Sequence, residues 1–157
     1  MKLRSMGVAL ALLAGSLPVL AQTDLRNPST GNEYAPRLSD IMTTAQSQHL
    51  KLWLAGMAQN WDLATYEIAQ LKTSLAQAAM LYSGLPVTNV TTLMTPLQSI
   101  TDALAGKDAR RFGKAFGELT DGCNACHRSI GRSFVLIRVP TDQKIFSNQL
   151  FGSKDRR

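Results

Sequence analysis

Apolar side chains recur every three or four residues in four stretches of this chain, which is the spacing of one helical face. Ser39 is the predicted N-cap of the first helix, with Asp40 in its first turn. Asn60 can end this helix or cap the second, which stops at Gly84 with Pro86 behind it. The face positions of the two helices are Ile41, Met42, Ala45, His49, Leu52, Trp53, Gly56 and Met57, then Ala64, Ile68, Leu71, Leu75, Ala78 and Tyr82.

Two further helices are predicted in the second half. Thr95 and Pro96 form a start signal, with Thr as the N-cap and Pro in the first helical position. A start one turn earlier, near Asn89, stays open; Gly106 ends this helix. The fourth helix is predicted from about residue 108 to residue 130. The faces of the two helices carry Leu97, Ile100 and Leu104, then Phe112, Phe116, Leu119, Cys123, Cys126 and Ile130.

Four helices with short connections predict an all-α, antiparallel four-helix bundle over residues 38–132. Strands do not alternate with helices, so a doubly wound sheet is disfavoured. Residues 22–37 are rich in Pro, Gly, Asn, Ser and Thr, which predicts an irregular leader. Residues 133–157 form a C-terminal extension, and its apolar start, 134–140, is expected to lie extended on the bundle. Three methionines are expected to fill gaps in the core: Met57, Met80 and Met94.

The N-terminus predicts export. The chain has 157 residues, 45% of them apolar and 18% charged, which excludes both a disordered chain and a membrane bundle. Lys2 and Arg4 precede an apolar run over residues 6–17, and small residues lead up to Ala21. This pattern predicts a secretory signal peptide over residues 1–21 and a mature protein in the periplasm. The run is shorter than the ~20 residues of a membrane anchor, so we expect no membrane span after cleavage.

Basic residues concentrate in the second half of the chain. Residues 22–106 carry four basic and six acidic side chains, whereas residues 107–157 carry eleven basic and five acidic ones. Such a basic half keeps a protein soluble or docks an acidic partner. Nucleic acid is disfavoured as a partner, because the basic residues do not alternate with aromatic ones in this exported chain.

The only two cysteines belong to the sequence CNACH at residues 123–127, which is the attachment signature of c-type haem. Thiols three residues apart on one helical turn can form thioethers to two vinyl groups on one porphyrin edge. We therefore expect one covalent haem c, attached through Cys123 and Cys126, with His127 as an iron ligand. A thioredoxin-like redox pair is disfavoured, because such a pair normally lies at the start of a helix in a strand-rich fold and this one lies late in a helix. A zinc site needs two more ligands, and His49 is the only other Cys or His.

This motif in the last helix of an exported four-helix bundle resembles the class II c-type cytochromes, which include cytochrome c′ and its low-spin relatives. The resemblance covers residues 38–132. It implies that the family's thioether cysteines fall on Cys123 and Cys126, and its proximal histidine on His127. The chain differs in continuing well past this helix and in having Ile-Gly-Arg at 130–132, where the family often has an aromatic and a basic residue.

The resemblance also implies that the first helix covers the other, distal side of the haem. His49 lies about three turns into that helix and is the candidate second iron ligand, which would give a low-spin iron. Met42 is the alternative ligand, Gln46 is a candidate hydrogen-bond donor, and an open distal site is the third alternative. Arg128 and Arg132 are candidates to pair with the haem propionates.

These residues lead to competing functional hypotheses. The first is a periplasmic monohaem cytochrome that carries one electron to a redox partner protein with an acidic docking face. The alternative is a gas-binding or sensing cytochrome c′ that takes up NO or CO at an open distal site. An enzyme is disfavoured, because the sequence has no second cofactor motif and no nucleophile–base pair. A homodimer stays open, since some class II members pair through their first two helices.

Overall fold

The structure is a computed structural model that describes residues 35–141, apart from the side chains of residues 87, 89 and 90. The predicted signal peptide, most of the leader and the end of the C-terminal extension lie outside this range. The described part is all-helical and contains no strand, which confirms the predicted all-α class. Its four helices are α1 (Leu38–Met57), α2 (Trp61–Leu81), α3 (Val87–Ala105) and α4 (Ala109–Ser129).

Contacts between helix ends show how the four helices run. The Tyr82 hydroxyl, just after α2, donates a hydrogen bond to the Pro36 carbonyl, just before α1 (3.0 Å). The Phe112 ring, near the start of α4, packs on Gly56 near the end of α1. Neighbouring helices therefore run in opposite directions, consistent with an antiparallel four-helix bundle. None of the helices in residues 35–141 is long and apolar enough to cross a membrane.

The core follows the predicted helix faces. Phe112, Phe116 and Leu119 on α4 are completely buried, and the Trp53 ring of α1 lies against both phenylalanine rings. Burial of side chains of this size stabilises the fold by roughly 1.5–3 kcal/mol each. The buried positions of the other helices are Ile41, Ala45, His49, Leu52, Leu54, Ala55, Gly56, Ala64, Glu67, Ile68, Leu71, Ser74, Ala78, Leu93, Leu97, Ile100, Ala103 and Leu104.

Capping side chains fix two of the four helix starts. The Asn60 side chain accepts a hydrogen bond from the Leu63 amide at the start of α2 (3.3 Å). Asp108 accepts from the amides of Arg110 (3.0 Å) and Arg111 (2.9 Å) at the start of α4. Both starts were readable from the sequence, because a short polar side chain replaces the missing acceptor of the first turn.

The start of α3 differs from the predicted one. The helix begins at Val87, so Pro96 lies inside it and not in its first turn. An interior proline removes one backbone hydrogen bond and usually costs about 3 kcal/mol. The extra turns bury Leu93 on the same face as Leu97 and Ile100, and this burial offsets the cost. The prediction of a start at Thr95 and Pro96 is therefore wrong. The alternative start near Asn89 is closer to the observed start at Val87.

The start of α1 and the three methionines also correct the sequence prediction. Arg37 is the N-cap, because Leu38 packs against the Ile41, Ala78 and Tyr82 cluster and extends the helix past Ser39. The methionines do not fill the core: Met57, Met80 and Met94 are 47%, 72% and 56% exposed. Met80, for example, lies two residues from both Ala78 and Tyr82, which places it on the opposite side of the helix.

Two glycines form a matched test of this packing. A Cβ at Gly56 would overlap the Phe112 ring, whereas a Cβ at Gly113 in α4 would meet nothing within 4 Å. Gly56→Ala should therefore lower the free energy of unfolding by about 1–3 kcal/mol. Gly113→Ala should raise it by about 0.5–1 kcal/mol, because alanine restricts the unfolded chain. Denaturant unfolding of both variants measures the difference, and equal effects would contradict the contact.

Candidate functional site

A cavity of about 790 Å³ opens between the helices beside the CNACH motif. Helices α1, α2 and α3, the last turns of α4 and the residues after α4 all contribute walls. Its volume lies within the roughly 300–1,000 Å³ typical of small-molecule and cofactor sites. The predicted attachment residues and distal candidates all line this one cavity: Met42, Gln46, His49, Cys123, Cys126 and His127.

The remaining lining is mostly apolar, with three cationic side chains. Arg37 comes from the start of α1, Lys72 from α2 and Arg132 from just after α4. The Lys72 ammonium donates a hydrogen bond to the Thr101 hydroxyl of α3 (2.8 Å), which fixes its direction. The sequence pointed to Arg132 but missed Arg37 and Lys72, which lie far from the motif along the chain. Arg128, the other predicted candidate, is exposed and is not part of the lining.

The two cysteines lie where the buried face of α4 reaches the cavity. Both are half-buried, and neither takes part in a disulfide. Burial, with the neighbouring Cys126 as a smaller cause, raises the pKa of the Cys123 thiol to about 11. A reactive dithiol requires the opposite, a lowered pKa that favours the thiolate. This environment disfavours a thioredoxin-like redox pair.

His127 has one imidazole nitrogen committed and the other available. Its Nδ1 lies 2.7 Å from the backbone carbonyl oxygen of Val135. Because a carbonyl only accepts hydrogen bonds, Nδ1 must carry the proton, and a neutral ring then keeps its lone pair on Nε2. Histidines that bind metals through Nε2 commonly hold this second hydrogen bond. The hydrogen bond to Val135 thus leaves Nε2 as the ring nitrogen whose lone pair could bind a metal.

A tight turn after α4 brings the Val135 carbonyl to His127. The Arg132 amide donates to the His127 carbonyl (2.7 Å) and the Gly131 amide to the Arg128 carbonyl (3.1 Å). This is a Schellman ending, which needs a left-handed residue, and Gly131 supplies it with φ of 70°. The turn sends the following residues back along the helix toward the cavity.

Asn124 holds the returning chain, and sequence reasoning missed this role. Its side-chain amide donates to the Ile137 carbonyl (2.7 Å), and its side-chain oxygen accepts from the Ile137 amide (2.8 Å). Asn124 occupies a variable position of the motif, and its partners are backbone groups. No side-chain pattern in the sequence therefore signals the contact.

His49 faces the cavity from α1 with the opposite tautomer. The Thr120 hydroxyl donates to the Phe116 carbonyl (2.9 Å), so its oxygen accepts from Nε2–H of His49 (3.0 Å). The lone pair of a neutral His49 ring therefore lies on Nδ1. The ring also packs 4.3 Å from the Phe116 ring. Burial lowers the pKa of His49 to about 4, so the ring is neutral at pH 7.

Met42 and Gln46 line the same wall as His49. Met42 is half-buried against the cluster that contains Ile41, whereas Gln46 is exposed at its outer edge. Within residues 35–141, no three His, Cys, Asp or Glu side chains converge as a ready-made metal site.

No protein-family model, curated protein or solved structure matches this chain. The functional argument therefore depends on the residues and the geometry of the cavity.

The pair of His49 and Thr120 makes a direct prediction. Thr120→Val removes the acceptor of a buried N–H group and should cost about 1–3 kcal/mol of unfolding free energy. In a His49→Leu background the same substitution should cost far less, because no donor remains there. Denaturant unfolding of the two single variants and the double variant measures the coupling. Equal costs of Thr120→Val in both backgrounds would show that the two side chains do not interact.

Proposed function

We propose that this protein is a monohaem c-type cytochrome, similar to class II, that transfers one electron at a time in the periplasm. One observation carries the proposal. The two thiols and the imidazole of the CNACH motif line a single apolar cavity, and the Val135 carbonyl leaves Nε2 of His127 with its lone pair. Motif and geometry thus support the proposal, because c-type attachment needs paired thiols on one turn and an adjacent nitrogen ligand.

The cavity fits the chemistry of a haem. A porphyrin is a flat apolar ring with two carboxylates, and this lining combines apolar walls with the cations Arg37, Lys72 and Arg132. Each cysteine thiol would add its S–H across one vinyl group, so the attachment needs no further reactant at the bond. The His127 imidazole would hold the iron from the same stretch of α4 as the two thiols. When bound, the haem supplies an iron that changes its oxidation state by one electron.

The chain's own residues would hold the haem in a rigid environment and limit its contact with water. The rings of Trp53, Phe112 and Phe116 pack together in the core, and Phe116 contacts His49 of the cavity wall, so this wall would move little when the charge of the site changes. The apolar walls would shield part of a bound ring from water. The predicted signal peptide supports a periplasmic location, and the basic second half of the chain would steer an acidic redox partner. We propose a carrier and not an enzyme.

The distal wall favours a second candidate function, the binding of a diatomic gas such as NO or CO. Thr120 holds the Nε2 proton of His49, so ligation by His49 must use Nδ1 or break this hydrogen bond. Met42 is the other candidate ligand on that wall. If neither binds, one face of the iron stays open to a small ligand.

The attachment is tested by haem retention. The mature protein, expressed in a host competent in cytochrome c maturation, should keep its haem through denaturation and acid–acetone extraction. Cys126→Ala removes one of the two thioethers and should lower this retention, whereas Ala125→Ser at an exposed neighbouring position should not. The readout is the absorbance of the protein fraction after extraction. A colourless wild-type protein, or full retention in Cys126→Ala, would contradict the two-thioether attachment.

The distal ligand is tested with carbon monoxide. If His49 is the ligand, the reduced wild type should be low-spin and resist CO. His49→Ala should then become high-spin and bind CO, because the iron loses a ligand. An open distal site instead predicts a high-spin wild type that binds CO directly. Met42→Leu is the matched variant for the other candidate ligand. An unchanged spectrum in His49→Ala excludes His49 as a ligand.

A further inference from the structure

The residues after α4 fold back onto the CNACH motif. We define the return segment as residues 132–139. It begins at the Gly131 turn and passes the Val135 carbonyl to His127. It is then paired through Ile137 with Asn124, and its Val139 side chain packs against the hydrophobic core. Three hydrogen bonds therefore connect this segment to two side chains of the motif, at distances of 2.7–2.8 Å.

We propose that the return segment, anchored by Asn124, is a positioning element that holds the His127 imidazole with Nε2 available to a metal. Asn124 acts through the backbone and not on the ligand itself, so it is a positioning residue. The effect of Asn124 on the reduction potential of an iron rests on the proposed function. Its effect on the position of the His127 imidazole does not. The role is distinct from haem attachment, since the attachment signature requires only the cysteines and the histidine.

The anchor controls how long the hydrogen bond to His127 persists. Val135 itself is exposed, so apolar burial does not hold its carbonyl in place. The paired hydrogen bonds between Asn124 and Ile137 lie two residues further along and limit the motion of that carbonyl. A hydrogen bond of this kind contributes modestly to stability, so losing both should increase local opening by about 10- to 100-fold.

The same contact would tune the metal. A carbonyl that accepts the Nδ1 proton increases the electron density on the ring and makes Nε2 a stronger donor. A stronger donor favours the oxidised, more positive form of an iron. Weakening the hydrogen bond should therefore raise the reduction potential.

Two substitutions and two shortened chains test this role. Asn124→Ala removes both contacts to Ile137, and a chain ended after Ser133 removes the Val135 carbonyl. The controls are Ala125→Ser, at an exposed position on the same turn, and a chain ended after Thr141, which keeps the return segment. Two readouts apply to each variant: solvent exchange of the His127 Nδ1 proton, by NMR of ¹⁵N-labelled histidine, and the reduction potential.

We expect Asn124→Ala to accelerate exchange of the Nδ1 proton by about 10- to 100-fold. The chain ended after Ser133 should do so at least as strongly. Asn124→Ala and the chain ended after Ser133 should both have a higher reduction potential than the two controls. Wild-type exchange or wild-type potential in the chain ended after Ser133 would overturn the proposal. A colourless wild type overturns the proposed function instead, and the exchange measurement then decides the role of the return segment alone.

Discussion

The packing of α4 on its neighbours determines where the CNACH motif can lie. The Phe112 ring of α4 packs directly on Gly56 of α1. Near the other end of α4, Gly122 packs against Leu93 of α3. A Cβ at Gly122 would approach the Leu93 Cδ2 atom to 2.6 Å, so no larger residue fits without a shift. These two contacts fix the rotation of α4 about its axis. Cys123 follows directly, and the same helical face that forms the core becomes the wall of the cavity.

The two histidines of the cavity carry their protons on opposite ring nitrogens. His127 is protonated on Nδ1 and offers Nε2, the nitrogen farther from the backbone. His49 is protonated on Nε2 and has only Nδ1 to offer, close to its own helix. Each tautomer is set by an oxygen whose hydrogen-bonding role is fixed, a backbone carbonyl in one case and a committed hydroxyl in the other. The nitrogen with the free lone pair is therefore farther from the backbone in His127 of α4 than in His49 of α1.

The sequence predicted most of the fold, because its signals were local. Asn60 caps α2, one of the two roles expected for it, and Asp108 caps α4 at the predicted start, since a cap depends on residues within one turn. At Pro96 the local signal failed, because burial of Leu93 in a contact between helices outweighed the cost of an interior proline. The same distinction applies to the site. The motif was visible in its spacing, whereas the Asn124 contacts join a side chain to backbone groups thirteen residues away.

Charge and hydrogen bonding would act in opposite directions on the haem that we propose for this cavity. Among the described residues, the lining contains three cations and no carboxylate, although the Arg37 guanidinium is already paired with the Asp40 carboxylate just outside the lining (2.9 Å). Cations alone disfavour an oxidised, more positive iron and so raise the potential, but two haem carboxylates would neutralise most of that charge. The residual interaction also acts across a partly open, screened cavity. The hydrogen bond at Nδ1 would instead act through the covalent bonds of the imidazole ring, over a much shorter path than the cations. If the proposed haem is bound, the contact to Val135 would therefore have the larger influence on the reduction potential, although its acceptor lies on a part of the chain beyond the four helices.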